Sequence, residues 1–483
     1  MQFLSIEFAV FFLVFFPIYW LFGNSRHIQN ILLLAAGVGS LFVINEMFAV
    51  ILAVYTLLIY AIAINIYTDQ RRSPDKEKAG KGWLIVGIVF GIGQLAFFKY
   101  SDFFRLAMPE SIRDSMADLI MPLGISYYTF QSLAYLNAVY KRRIHLLRWN
   151  ELLLYLSFFP TLTSGPIWRA DTMKTIAGEH AGAYEQLRSV KPRQIIRPAL
   201  AISLILLGIV KKWCLAGNLG DSFVDPIFEN PLQYDCFSVL LAVYGYSVQL
   251  FLDFSGYTDL AIGIAMLLGF QLPPNFMQPF LAHNLREFWA RWHISLSTWV
   301  RDYIYIPLGG NRKGFFRMQL NLLVAMALSG IWHGAGLTYL IWGLLHGLGL
   351  VLLNFGDRIF GGKNRLAQNI YGRYLGIFST ITFVSFVFIV FRAPSLSDAA
   401  LVLEGIFHNP NSILIPPLSV ALCAAAMILA LIGYRELLHI FDGFVHFLER
   451  TKVEYWVLPI TLVLLFVIVV APSGVPGFIY ASF

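Results

Sequence analysis

The sequence predicts an all-α polytopic membrane protein, and three observations carry that prediction. Of 483 residues, 58% are hydrophobic and 13% charged, against about 25% charged in soluble domains, and the mean hydropathy is +0.67. The apolar residues gather into runs near the ~20 residues that a helix rising 1.5 Å per residue needs to cross a bilayer. Lys and Arg fall in short clusters between those runs rather than on one face, so the net charge of +7 reports membrane topology through the positive-inside rule and not a nucleic-acid partner.

Taken in order, MQFLSIEF has no basic n-region and no small-residue cleavage site follows, so Phe8 to Phe22 is expected to be a first span rather than a removed signal peptide. Ile31 to Ile44 and Met47 to Tyr67 span next and deliver Arg71, Arg72, Lys76, Lys78 and Lys81 to one short loop, the firmest cytoplasmic anchor. Trp83 to Phe98 leads to a mixed-charge loop around Asp102 to Asp118 that suits an amphipathic surface helix. The run PLGISYYTFQSLAYLNAVY carries Pro122, Gly124 and many hydroxyls, which favours packing against protein over lipid. Leu152 to Phe159 is too short to cross and is broken by PTLTSGP; a re-entrant segment is expected, since broken backbone at membrane depth survives only inside protein or beside a cavity.

The basic loop Arg169 to Arg197 is expected in the cytoplasm, followed by a span Pro198 to Cys214, where Lys211 and Lys212 sit against the charge rule. The acidic loop with Asp221, Asp225, Glu229 and Asp235 fits the outer face. Phe237 to Phe270 is too long for one straight span, and Gly256 is a candidate kink. Leu337 to Leu353, Leu375 to Phe391, Leu418 to Ile432 and Trp456 to Val470 complete the spans, with an amphipathic stretch HIFDGFVHFLER between the last two and both termini outside. Cys214, Cys236 and Cys423 show no metal or redox spacing and are expected to be packing residues. The whole chain, 1–483, is expected to form one integral-membrane domain with its core at 237–353.

Chemistry concentrates between Arg286 and His346, where Arg286, Glu287, Arg291, Arg301, Asp302, Arg312, Lys313 and Arg317 interrupt an otherwise uncharged sequence; charges at membrane depth are costly and usually used. Asn284 followed by Glu287 has capping-box spacing, and Pro307, Gly309 and Gly310 form a stop, so Asn284 to Ile306 is expected to be one helix. On it Phe288, Trp292, Ser295 and Trp299 form a stripe, more often packing than ligand contact. Arg291, Arg301 and Asp302 are expected to pair with one another or line a wet cavity. The turn holding Asn311, Arg312 and Lys313 is expected on the cytoplasmic side by the charge rule.

His333 ends NLLVAMALSGIWHG, a run too short to cross and therefore expected to be re-entrant, with Gly330, Gly334 and Gly336 beside it. A lone histidine on an apolar face is usually a hydrogen-bonded core residue, but close glycines permit substrate approach, and a neutral imidazole suits a general base near neutral pH. His293 and His346 are weaker candidates on spacing alone. Asp253 and Asp259 do not share a helical face, so they do not make a carboxylate pair. No Ser-centred elbow, Walker loop, HExxH or CxxC occurs.

The segments RWHISLSTW, RDYIYIPLGGNR and IWHG resemble the signature of the membrane-bound O-acyltransferase (MBOAT) family, most closely its AlgI-type alginate O-acetylation branch. PLGISYYTFQSLAY, FFPTLTSGPIWR, LDFSGYTDLAIG and a tail ending FIYASF resemble further elements of that branch, in order. The resemblance implies a ring of tilted transmembrane helices with re-entrant segments around a central tunnel. It implies His333 and His293 as catalytic and places Arg291, Trp292, Ser295, Arg301, Asp302, Asn311, Arg312, Lys313 and Trp332 as candidate donor or substrate contacts, with no metal and no bound cofactor. His333 in its apolar run is then the expected base or transient acyl carrier, and His293, flanked by charge, the positioning group. Asn137 stands where relatives of this kind tend to carry Asp.

The implied reaction moves an acyl group, acetyl, from acetyl-CoA or another acyl thioester in the cytoplasm toward hydroxyls of an exported polysaccharide such as alginate. Its implied setting is the bacterial inner membrane, with an extracytoplasmic acetyltransferase partner and no nucleic acid. Peptidoglycan O-acetylation, D-alanyl transfer to teichoic acid of the DltB type, and a transporter or flippase binding solute through His333, His293 and Asp253 are the competing readings.

Overall fold

The computed structural model describes residues 3–76, 78–101, 120–176, 178, 180–362, 369–408 and 433–474. The chain is all-α and polytopic: nine helices among the described residues are long and apolar enough to cross a membrane. The expected surface helix at 102–118, the span at 418–432 with Cys423, and the terminal FIYASF lie outside the described residues.

The chain divides into two compact units. The first comprises Met1–Ala201 and Ala261–Pro274. Helix α1 (Ile6–Leu21) starts where Ser5 accepts a hydrogen bond from the Phe8 amide, satisfying one of the orphan donors of a helix N-terminus. Helices α2 (Arg26–Ile44), α3 (Glu46–Arg72) and α4 (Lys81–Lys99) follow the expected runs and extend each into its polar ends. Helix α5 (Ile125–Tyr140) is buried along nearly its whole length, as its hydroxyls and small residues predict. Tyr55 of α3 pairs with Ser132 at 2.6 Å, and Gln94 of α4 donates to Tyr128 at 3.2 Å. Helix α6 (Trp149–Leu156) ends in irregular backbone that is itself buried. Tyr155 donates to the Trp168 carbonyl at 2.6 Å, and Trp168, Phe158 and Phe270 pack against one another in tilted and edge-on contacts, so the broken backbone is held by protein. The loop beyond carries a small hairpin, β1 (Met173–Lys174) with β2 (His180–Ala181), and a one-turn helix α7 (Ala183–Arg188). Not all its basic residues serve topology: Arg193 is buried, donates to Asn30 at 2.6 Å and lies over the Phe270 ring at 4.3 Å.

The second unit comprises Ile202–Leu260 and Asn275–Phe483. Helix α8 (Pro198–Glu229) does not stop at Cys214; it runs on through two π-helical turns, Val210–Ala216 and Gly220–Val224, so the expected acidic loop begins only after Glu229. Helix α9 (Cys236–Leu267) is one unbroken helix of 32 residues. Gly256 is a site of close approach: a Cβ there would lie 2.9 Å from the Gly208 carbonyl, and a Cβ on Gly208 would lie 2.6 Å from that of Gly256. That approach brings Lys212 onto Asp253, both buried, and Lys211 onto Asp259 at 2.8 Å. The two lysines that violate the charge rule are thus neutralised by the two aspartates, and buried charge is tolerated when it is paired.

Helix α10 (Leu285–Arg291) and helix α11 (Ile294–Val300), the latter continued as a π turn Arg301–Tyr305, replace the single helix expected over Asn284 to Ile306. The break is at Trp292, which is extended, and His293, whose φ of 43° is left-handed. Helix α12 (Phe315–His333) begins six residues before the apolar run counted from sequence, which makes it 19 residues long, and by length and composition it is long enough to cross. It turns through Gly334–Gly336 into α13 (Leu337–Ile359), and the two helices pack antiparallel, backbone on backbone: a Cβ on Gly330 would overlap the Tyr339 carbonyl, and one on Gly343 the Met326 carbonyl. Gly330 serves helix packing. Helices α14 (Ile370–Arg392), α15 (Leu396–Phe407), α16 (Tyr434–Arg450) and α17 (Val457–Val470) complete the unit, with Trp213 donating to the Gly474 carbonyl at 2.8 Å to fix the end of α17 onto α8.

Candidate active site

The break between α10 and α11 builds the site. Asn284 caps α10 by accepting from the Glu287 amide at 2.9 Å, while Glu287 reaches back to the His283 amide at 3.0 Å, one residue earlier than a reciprocal capping box requires. Glu287 also binds the Arg291 guanidinium. Partial burial works against its charge, but the His283 amide and Arg291 outweigh burial and hold its carboxyl below the ordinary range. Arg291 therefore pairs with Glu287, not with Arg301 or Asp302, which pair with each other at 2.7 Å. The expected aromatic stripe is split: Phe288 and Trp292 enter the core, Ser295 turns to a different partner, and Trp299 stacks on Tyr303 at 5.0 Å.

That partner is Asn275, a buried residue in the irregular segment before α10. Its Oδ1 accepts from the Ser295 amide at 3.2 Å and the Ser295 hydroxyl at 2.7 Å, and lies 3.1 Å from His293 Nδ1; the Ile294 amide donates to the Asn275 carbonyl at 2.9 Å. An amide oxygen can only accept, so His293 Nδ1 carries the proton and the lone pair is on Nε2. Nε2 is buried and has no hydrogen-bond partner among the described residues. Phe254 closes over the imidazole edge at 4.7 Å. Sequence reasoning missed Asn275 because its only signal, an amide after two prolines, is common in loops.

From His293 a row of rings leads to the end of α12. Its centroid is 6.4 Å from Trp332, Trp332 is 4.7 Å from His333, His333 is 5.0 Å from Trp342, and Trp342 is 4.9 Å from His346. His333 is 4% exposed and also meets Phe391 edge-on at 5.1 Å. His346 is completely buried among Phe288, Trp289, Trp342 and Phe383, and neither ring nitrogen has a partner among the described residues. Trp292, His293, Ser295, Trp332 and His333 are thus brought together. Asn311, Arg312 and Lys313 are not: they form an exposed turn, with Gly309, Gly310 and Gly314 at positive φ, at the opposite end of α12, about 27 Å from His333 at 1.5 Å per residue. Among the described residues no group of three or more His, Cys, Asp or Glu is placed to hold a metal ion.

A membrane-embedded helical protein in which His293 and His333 both meet Trp332 at one end of α12, with a basic turn at the other end of that helix, is the class that fold and site define. The chain belongs to the membrane-bound O-acyltransferase family, whose model matches residues 118–391. It is an O-acyltransferase. It is similar to the probable alginate O-acetylase AlgI of Pseudomonas aeruginosa, with 34% identity over 82% of this chain and 72% of the relative. It is also similar to the peptidoglycan O-acetyltransferase of Helicobacter pylori, with 32% identity over 72% of this chain and 69% of the relative. The teichoic acid D-alanyltransferase of Bacillus subtilis is 30% identical over 65% of this chain and 79% of that protein.

Proposed function

We propose that the chain carries an acetyl group from a cytoplasmic acyl thioester, acetyl-CoA or an acyl-carrier protein, to a hydroxyl of an exported polysaccharide, in the bacterial inner membrane and with an extracytoplasmic partner completing the transfer. The observation that carries this reading is that His293, 40 residues before His333, meets Trp332, the residue next to His333. In an acyl transfer the acceptor hydroxyl gives its proton to an imidazole while its oxygen adds to the thioester carbonyl. The tetrahedral intermediate then expels the thiolate, which recovers the proton. His333, at the end of a helix beside small residues, is the primary base; His293, held by Asn275 with Nε2 unprotonated, orients the reacting group and accepts a hydrogen bond from it. Arg312 and Lys313 attract the phosphates of the donor at the other end of α12, as anions are drawn to clustered cations.

The printed names of the relatives favour a glycan hydroxyl as acceptor and leave alginate and peptidoglycan as the two glycan readings. A transporter using Asp253 is disfavoured by its engagement with Lys212. The deciding experiment is transfer of labelled acetyl from acetyl-CoA in proteoliposomes holding the chain and its partner: transfer by wild type and none by His333→Ala supports the reading, and equal transfer by both defeats it.

A further inference from the structure

We infer that Arg26 and Arg193, in the first unit, bind the phosphate of an anionic phospholipid in the leaflet that the charge rule gives to the cytoplasm. Arg193 lies in the basic loop before α8 and is 8% exposed. Its Nη2 donates to Asn30 Oδ1 at 2.6 Å, its Nη1 donates to the Tyr19 hydroxyl at 3.5 Å, and its guanidinium lies over the Phe270 ring at 4.3 Å. None of these partners is a carboxylate, and Nε has no partner among the described residues. Arg26 is the first residue of α2, one helical turn before Asn30, so the two arginines meet one face of that helix. Its Nη1 is likewise enclosed without a partner among the described residues.

Two guanidiniums brought together without an acid repel each other and leave the cost of burial uncompensated. Burial above all, and the like charge of Arg26 besides, lower the pKa of Arg193. A guanidinium does not respond by giving up its proton, and a buried charge is tolerated where it is paired, so the compensating charge is a bound anion. The first turn of α2 points the same way. It holds Arg26 and His27 and no acid, although a helix N-terminus carries about half a positive charge and favours anions.

Depth identifies the source of that anion. Leu21 and Phe22 just before Arg26, Ile31 just after it, and Val190 and Ile195 on either side of Arg193 are all exposed apolar residues, which in a chain that crosses a bilayer face lipid. Lys191, in the same loop, is exposed as well. A guanidinium pair flanked by lipid-facing residues and a basic loop lies at headgroup level, and basic pockets between spans on the cytoplasmic side take phospholipid head groups. The forked donors of arginine match phosphate oxygens in geometry.

The test is ligand retention by the full-length chain, delipidated in detergent and titrated with dioleoylphosphatidylglycerol, with dioleoylphosphatidylcholine, and with inorganic phosphate and coenzyme A as soluble phosphates, read by native mass spectrometry. Wild type should retain phosphatidylglycerol over phosphatidylcholine by about 10-fold or more. Arg26→Gln should lower that retention by about 10-fold, the scale of a lost hydrogen bond to a charged group, and Arg26→Lys, which keeps the charge, should recover part of it. Arg26 is the deciding variant because its side chain makes no hydrogen bond among the described residues for folding to lose. Lys78→Gln, which removes an exposed charge from the other basic loop, should leave retention unchanged. Equal retention of the two lipids, the same loss from Lys78→Gln as from Arg26→Gln, or retention of coenzyme A or inorganic phosphate through Arg26 in place of phosphatidylglycerol would each overturn the inference.

Discussion

Asn275 Oδ1 lies 3.1 Å from His293 Nδ1 and 2.7 Å from the Ser295 hydroxyl. One amide thereby holds the left-handed His293, opens α11, and leaves Nε2 as the imidazole's free lone pair. Removal of Asn275 should release both the ring and its tautomer. Asn275→Ala is expected to lower the acyl-transfer rate by about 10- to 100-fold, the usual scale for groups that orient a working histidine, with donor KM little changed. A rate within twofold of wild type in the folded variant would show that Ser295 and Phe254 alone hold the ring.

The two histidines should separate in single-turnover transfer from labelled donor. Loss of a general base costs about 10² to 10⁴ in rate, so His333→Ala is expected to show no transfer above background, while His293→Ala retains measurable transfer. A dead His293→Ala beside an active His333→Ala would exchange their roles.

His346 buries an imidazole whose two nitrogens find no partner among the described residues. An unsatisfied buried polar group costs about 1–3 kcal/mol, so His346→Phe, which keeps a ring against Trp342, is expected to raise the thermal unfolding midpoint in detergent. A lowered midpoint would mean that the imidazole is satisfied by bound water.

Lys212 and Asp253 form a buried pair. Breaking such a pair on one side costs about 3–5 kcal/mol, whereas replacing both partners by apolar residues is often neutral. Lys212→Met alone should therefore sharply reduce folded yield, and Lys212→Met with Asp253→Leu should restore it together with transfer. If the double variant folds but is inactive, the pair belongs to the chemistry rather than to the packing.

The opposite ends of α12 give a topology test. In a background without native cysteines, Arg312→Cys and Glu229→Cys should be labelled by an impermeant reagent from opposite sides of intact vesicles. Labelling of both from one side would remove the two-sided donor and acceptor arrangement.

How much of this was legible in the sequence follows from which forces are local. Apolar run length and loop charge are properties of contiguous residues, so most spans, the burial of α5 and the broken backbone after α6 could be read directly; His293 joined His333 as a candidate only through the resemblance of its segment to the family signature, since spacing alone left it level with His346. The limits came where a distant residue decides a local outcome. Helical spacing from Asn284 to Ile306 predicts one helix, and the carbonyl and amide of Asn275, 18 residues before His293, break it. Charge counting makes Lys211 and Lys212 anomalies, and α9, some 40 residues further on, supplies their aspartates. Glycines beside His333 suggest room for substrate, and the carbonyls of α13 fill the space at Gly330. The sequence by itself determined a polytopic helical protein; only the tertiary structure decided which polar groups neutralise one another and which nitrogen of His293 is free, because these depend on contacts between segments whose meeting no local pattern encodes.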